Sequence, residues 1–500
     1  MVKFHWINWV IVLGYLGVIA GVGFWFMHRN RNSKEYFKGG GNIPWWAAAL
    51  SLYAAMFSSI TFLSIPALVY ASDLTYLPII VGVIPGAFIA IRWYMPFFRK
   101  LNLTSAYEYL EVRFNLPCRL FASAAFILFM VASTAVVTYL PAVALAAVTG
   151  MSVNIAIVVV MTVTILYSSL GGLEAVVWSD FVQALLLIAS MVLIIVLLVF
   201  GAKGGVSGFL AHAGDEGRLR IFDFTWDWSK AGFWVVLLGG FIANFASYTS
   251  DQRVVQRYMA VKDEAAAARS IKTEMILGTL TNIACFAIGI GLWAFYRSHP
   301  NIIPAITKND QILPVYIAQI LPNGVSGIIF AAVAAATVST LAANLNSSAT
   351  AFTTDFYRRL VLERRPNDPG GEAKALWCGR IATIATGVAG GTFALVLANM
   401  DVFSIFDQFQ RFLGILTAGL ASLFFMGIFM KKVNGFGAMV GLTANYVVTF
   451  GLDMVPWSGK PHLLLYGFFG LVVALIVAPI ASICRARSPS GPSTKSMENE

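Results

Sequence analysis

The chain has 500 residues, of which 58% are hydrophobic and only 12% charged. A soluble protein of this length needs far more polar surface, so the composition excludes a soluble enzyme and points to a polytopic membrane protein. The formal net charge of +10 does not signal a nucleic-acid partner, because the basic residues lie between the apolar runs.

Those runs are each about 20 residues or longer, enough to cross a bilayer of about 30 Å, and too long for barrel strands. In chain order about 13 transmembrane helices are predicted, at 5–27, 43–71, 75–98, 119–148, 152–169, 176–201, 231–257, 271–297, 323–357, 375–399, 402–430, 435–456 and 462–483. The first is read as retained, not as a cleaved leader: only Lys3 precedes it and no small-residue cleavage site follows. The fold class is all-α, embedded in the lipid bilayer.

Lys and Arg sort to alternate loops. One side holds Arg29, Arg31, Lys34 and Lys38, then Arg99, Lys100, Arg113 and Arg119, and then Arg253, Arg257, Lys262 and Arg269. It continues with Arg358, Arg359, Arg364, Arg365 and Lys374, and later with Lys431, Lys432, Arg485 and Arg487. The positive-inside rule then puts the N-terminus outside and the C-terminus in the cytoplasm, as an odd number of spans requires.

Four cysteines, Cys118, Cys285, Cys378 and Cys484, are far apart and form no metal or disulfide pattern. No G-x-x-x-x-G-K-[ST] loop occurs, so no ATP-driven pump is encoded. Neither a G-x-S-x-G elbow nor H-E-x-x-H is present, and no enzyme is expected.

Two spans interrupt their apolar pattern with polar residues. The first is YAAMFSSITFLSIP at 53–66, and the second is FIANFASYTSD at 241–251. They lie five spans apart, the spacing of two five-helix units repeated with inverted topology, each opening with a discontinuous helix. The chain divides into 1–42 (first helix and loop), 43–201 (first repeat), 202–230 (extracellular loop) and 231–430 (second repeat). Two further helices fill 431–487, and a Ser/Pro/Gly-rich tail, 488–500, is read as disordered. A broken helix frees carbonyls and amides that lipid cannot satisfy, so it belongs where it lines a cavity or binds something. The alternative is that small Ser and Ala residues serve close helix packing.

In AAATVSTLAANLNSSATAF, Ala336, Ser339 and Thr340 share one helix face. Two hydroxyls and the Ala336 carbonyl, with the carbonyls of Ala54 and Phe57 just before the Ser-Ser break, offer five hard oxygens and no fixed charge. That set suits a small monovalent cation, since divalent ions usually demand carboxylates. Equally, Ser339 and Thr340 bond back to carbonyls one turn earlier.

SSITFLSIPA (58–67), YSSLGGLEAVVWSD (167–180), SDQRVVQRY (250–258) and AAATVSTLAANLNSSATAFTTDFY (334–357) resemble the sodium:solute symporter family, nearest in wording to its bacterial sialic acid carriers. The resemblance implies a LeuT-type 5+5 inverted repeat and a bacterial inner-membrane location. It also implies a sodium (Na+) site formed by Ala54, Phe57, Ala336, Ser339 and Thr340. Asp180 is expected to draw sodium from just outside that set, or else to offset a helix dipole. Some relatives carry further hydroxyls one turn on and bind a second sodium; Ala342 and Ala343 stand there in this chain, so one sodium per solute is expected.

A small-molecule solute is expected near the midplane, against Ser58, Ser59, Thr61, Tyr76, Asn244, Phe245, Ser247 and Tyr248. Hydroxyls and amides with flanking aromatics suit a polyol or sugar-like solute, though each aromatic taken singly also fits ordinary packing. The expected cavity wall has no lysine or arginine near the midplane. The nearest is Arg411, placed to pair with Asp407 at i, i+4 as an outer gate. No sequence feature calls for an obligate protein partner.

Overall fold

The computed structural model describes residues 4–27, 43–101, 103–201, 217–304, 308–365, 370–400, 404–455 and 459–484, with residues 205, 207, 214, 306 and 368. The predicted tail 488–500 and the basic residues Arg29, Arg31, Lys34 and Lys38 lie outside the described residues. Ten helices among the described residues are long and apolar enough to span a membrane, eleven with one bent pair counted as a span. The expectation of about 13 also counts two shorter apolar helices, α1 (Trp6–Met27) and α7 (Val153–Ser169).

The bent pair is the first predicted discontinuous helix. Helices α2 (Trp45–Met56) and α3 (Ser59–Ala71) meet at 54° across Phe57 and Ser58. Phe57 is extended at φ −87°, ψ 96°, and Ser58 starts α3 as its N-cap, its hydroxyl accepting from the Ile60 amide at 3.2 Å. A serine at this place satisfies one of the amides that a helix start leaves open.

Beyond it run α4 (Leu77–Leu101), α5 (Glu108–Arg113) and α6 (Leu116–Thr149), then α7 and α8 (Gly172–Gly201). The last two are separated at Gly172, whose φ of 61° lies in the left-handed region that favours glycine. Then come α9 (Phe233–Ser250) and α10 (Gln252–Met259), followed by α11 (Glu264–Ser298), α12 (Ile312–Gln319) and α13 (Val325–Leu362). Next are α14 (Gly371–Ala398) and α15 (Ile405–Phe429). Helices α16 (Gly435–Met454) and α17 (Leu463–Cys484) pack on each other and on α15.

The second discontinuity falls at the last residue of its predicted stretch. Residues 241–250 form unbroken helix, and the interruption falls at Asp251, φ −82°, ψ 117°. Asn244 and Ser247 sit inside α9 because their side chains donate to the carbonyls of Gly240 and Ala243, four residues back. Polarity there is absorbed by the helix itself.

Helix α13 is the axis of the bundle. Its residues from Ala331 to Ala351 are almost all buried, and it packs on α1, α6, α14 and the α7–α8 pair. Small residues allow such contact. The α4–α9 crossing shows the same device at its limit, since a Cβ on Gly82 would stand 2.3 Å from the Phe241 amide nitrogen.

Candidate functional site

The break between α2 and α3 faces α13. The Phe57 amide still reaches the Tyr53 carbonyl at 2.7 Å, but no backbone amide among the described residues takes the carbonyls of Ala54 and Phe57. Instead the Thr340 hydroxyl on α13 donates to the Ala54 carbonyl at 3.4 Å, and the Ser339 hydroxyl donates to the Ala336 carbonyl at 3.2 Å. Four of the five predicted oxygens therefore form two pairs, one spanning the gap between α2 and α13. Ala54, Phe57, Ala336, Ser339 and Thr340 are all buried. The arrangement offers uncharged oxygens to a desolvated cation and nothing that titrates.

Asp180 does not touch this set. Its Oδ2 accepts from the Ser51 hydroxyl at 2.6 Å and pairs with Arg257 at 3.0 Å, while Arg257 Nε also donates to Ser51 at 2.7 Å. Ser51 lies on α2, one turn before Ala54, so the acid reaches the helix that carries the predicted cation carbonyls through one hydroxyl. Its charge is neutralised by Arg257, a partner that spacing could not reveal across 77 residues of chain.

Two more buried groups close the same end of the bundle. Arg253 pairs with Asp251 at 2.5 Å and donates to Asn344 on α13 at 2.9 Å. Arg119 pairs with Asp355 at 2.8 Å and with Glu111 at 2.9 Å, and Glu111 also holds Arg359 at 2.7 Å. These contacts tie α5 and α6 to α13, and α10 to α13.

Between the two breaks lies a cavity of about 190 Å³. Six of the eight predicted solute contacts line it: Ser58, Thr61, Tyr76, Asn244, Ser247 and Tyr248. The other two are corrected. Ser59 points away, its hydroxyl donating to the Val137 carbonyl on α6 at 3.1 Å. Phe245 packs edge-on against Tyr94, with ring centroids 5.9 Å apart, in the apolar core.

The wall also holds groups that sequence reasoning missed, among them Ser133, Arg253, Glu274, Asn282 and Gln410. The expectation of a wall without lysine or arginine fails at Arg253, which follows the second break directly. Glu274 was hidden because α11 starts at Glu264, ten residues before it, so what read as a span boundary is well inside a helix.

The predicted gate pair does not form. Arg411 pairs with Asp453 on α16 at 3.0 Å, and neither Arg411 nor Asp407 lines the cavity. Arg411 is half-exposed and turns toward α16, where its i, i+4 neighbour has no hold on it.

Comparison with known proteins bears on the family and the fold. The family model described as "Sodium:solute symporter family" matches residues 36–444. The chain is 34% identical over 483 residues to the sodium/sialic acid symporter of Proteus mirabilis, covering 96% of this chain and 95% of that one. It is 35% identical to the sodium/sialic acid symporter of Aliivibrio fischeri, covering 95% and 92%. Its fold superposes with a TM-score of 0.89, at 32% identity, on a substrate-bound, outward-open, Na+-coupled sialic acid symporter, covering 98% of this chain and all of that one. A nucleobase-cation-symport-1 family transporter, at 15% identity and a TM-score of 0.59, shares the fold alone. The chain is a sodium-coupled secondary transporter and not an enzyme, and it belongs to the sodium:solute symporter family.

Proposed function

We propose that this protein carries a small, hydroxyl-rich organic solute, sugar-like or sialic-acid-like, with one sodium ion per solute. The solute class draws on the sodium/sialic acid symporters that resemble the chain and on the hydroxyls and amides of the cavity wall. The observation that carries the coupling is the pair of carbonyls freed at the first break, Ala54 facing Thr340 across the gap. Sodium held by Ala54, Phe57, Ala336, Ser339 and Thr340 would bridge α2 to α13 and favour the form that receives solute. The ion drives transport only through its differential affinity for the two forms. The membrane potential adds about 2.3 kcal/mol per charge per 100 mV.

The cavity runs from Tyr53 toward Leu68 and Tyr76 at the far end of α3, and buried ion pairs close the opposite end. With the N-terminus outside, as the loop charges indicate, this is an outward-facing form in a bacterial inner membrane. One sodium per solute rests on Ala342 and Ala343, which are buried and offer no side-chain oxygen.

The test is thermal stability of the detergent-purified protein in sodium against potassium, followed by solute uptake into proteoliposomes. A sodium-selective shift, enlarged by one solute and abolished by Ser339→Ala and Thr340→Ala, is expected. A sodium Hill coefficient near 1 should accompany it; a value near 2 with matching charge counts would end the one-sodium reading.

A further inference from the structure

Two charged side chains lie on the cavity wall, Arg253 and Glu274. They are not equivalent. Arg253 has its charge matched by Asp251 at 2.5 Å, with a further nitrogen on Asn344. Glu274, on α11, forms no ion pair among the described residues. Its polar partner is the Tyr248 hydroxyl, which donates to Oε2 from α9. Tyr248 lines the cavity as well.

The second oxygen is left open by sequence. A Cβ on Gly278, one turn along α11 and also on the cavity wall, would stand 3.3 Å from Glu274 Oε1. With no side chain there, Oε1 can be approached from the cavity. The rest of the polar wall, including Ser58, Thr61, Asn244 and Gln410, is uncharged.

An acid inside a membrane bundle, only 4% exposed and without a counter-cation, is costly and marks function by default. A carboxylate accepts hydrogen bonds and donates none when ionised. It attracts a hydroxyl or ammonium donor and repels a second carboxylate held in the same low-dielectric space. Arg253 cannot offset this, because its charge is already matched.

We infer that Glu274, held by Tyr248 and uncovered by Gly278, sets the charge class of the solute: a polyol or amino sugar that gives an O–H or N–H to Glu274 and bears no carboxylate. The inference rests on the sodium-coupled, hydroxyl-rich reading above and narrows it. It separates this chain from a carrier of sugar acids by the charges on its own wall.

The test uses purified full-length protein in sodium and three shape-matched probes: a hexose, its 2-amino derivative and its uronic acid. The hexose or the amino sugar should raise the sodium-dependent thermal midpoint, and the uronic acid should not at tenfold higher concentration. An amino sugar binding at least tenfold tighter than the hexose assigns an ammonium to Glu274; equal binding assigns a hydroxyl. Glu274→Gln should weaken the bound probe at least tenfold and narrow its advantage over the uronic acid, while the shift given by sodium alone persists. Gly278→Ala, which crowds Oε1 without changing charge, should weaken the same probe and supplies the reading if Glu274→Gln does not fold.

The proposal is overturned if the wild type binds the uronic acid as tightly as the hexose. It is equally overturned if neither the hexose nor the amino sugar binds while sodium alone still shifts the midpoint, or if both variants leave affinity within twofold. Loss of the sodium shift itself in the wild type would instead refute the coupling.

Discussion

The two helix breaks use one backbone device to opposite ends. At the first, between α2 and α3, the carbonyls of Ala54 and Phe57 are left without backbone donors, and the Thr340 hydroxyl on α13 reaches Ala54 across the gap. At the second, Asp251 satisfies nearly everything around it. Its carbonyl accepts from the amides of Val254 and Val255, and its carboxylate caps the Arg253 amide at 2.8 Å and binds the Arg253 guanidinium. One break is open to a cation; the other carries its own. The difference teaches that an interrupted helix is not in itself a binding site. What matters is whether local side chains have already answered the freed groups.

The largest effect should come from unbalancing the self-satisfied break. Asp251→Asn leaves the Arg253 charge buried without its partner, and breaking a buried pair in this way costs about 3–5 kcal/mol. The thermal midpoint should fall by several degrees in sodium and in potassium alike. Adding Arg253→Gln should recover part of the loss, since the orphan charge goes too. A fall confined to sodium would mean that the second break also senses the ion, and the contrast would collapse.

Next in size is the open break. Thr340→Ala removes the hydroxyl that faces Ala54 and should weaken apparent sodium affinity at least tenfold, about 1.4 kcal/mol. Stability without sodium should change little, because that hydrogen bond is long at 3.4 Å. Sodium titration of the thermal midpoint reads both quantities, and a variant that loses stability but keeps its sodium response would give Thr340 a packing role only.

Away from both breaks, Glu111 lies on α5, which is too short to span, and tests the closing ion pairs through pH. Burial opposes its ionisation, but Arg359 and Arg119 outweigh burial and hold its carboxyl below the usual carboxylate range. A folded carboxyl held low binds its proton later than the unfolded one. Its contribution is therefore complete above the unfolded value of about 4.3 and is lost as pH falls through that value toward the folded one. As pH falls from about 4.3 toward the folded value, the wild-type midpoint should drop more steeply than that of Glu111→Gln. Parallel slopes would mean that the network does not depend on this acid.

The comparison also explains what could be read from the chain alone. The first break was legible because Ser58, Ser59 and Thr61 interrupt an apolar run that has no other use for them, and a helix start wants a serine. The roles within it were not: one hydroxyl caps, one ties to α6 and one faces the cavity, and only the packing of neighbouring helices decides among them. The second break lies at the end of its predicted stretch, because Asn244 and Ser247 look disruptive in sequence yet bond to their own helix. Glu274 escaped because periodicity does not reveal where on a long helix the membrane begins. The ion pairs join residues far apart in the chain, where no spacing rule reaches.

Arg411 carries the smallest effect and the clearest contrast with the buried pairs. Spacing joined it to Asp407, one turn earlier on the same helix, whereas packing joins it to Asp453 on α16, with its side chain 43% exposed. An ion pair that stays in contact with water contributes at most about 1 kcal/mol, since solvent screens the charge and two side chains must be held in place. Arg411→Gln should therefore shift the thermal midpoint by no more than a degree or two and leave the sodium titration unchanged. Asp453→Asn should match it, because each removes the same weak link between α15 and α16. Loss of uptake in Arg411→Gln, with Asp453→Asn still active, would return Arg411 to the entrance of the cavity. It would also show that the outer end is gated by a charge that pairs differently once solute has bound.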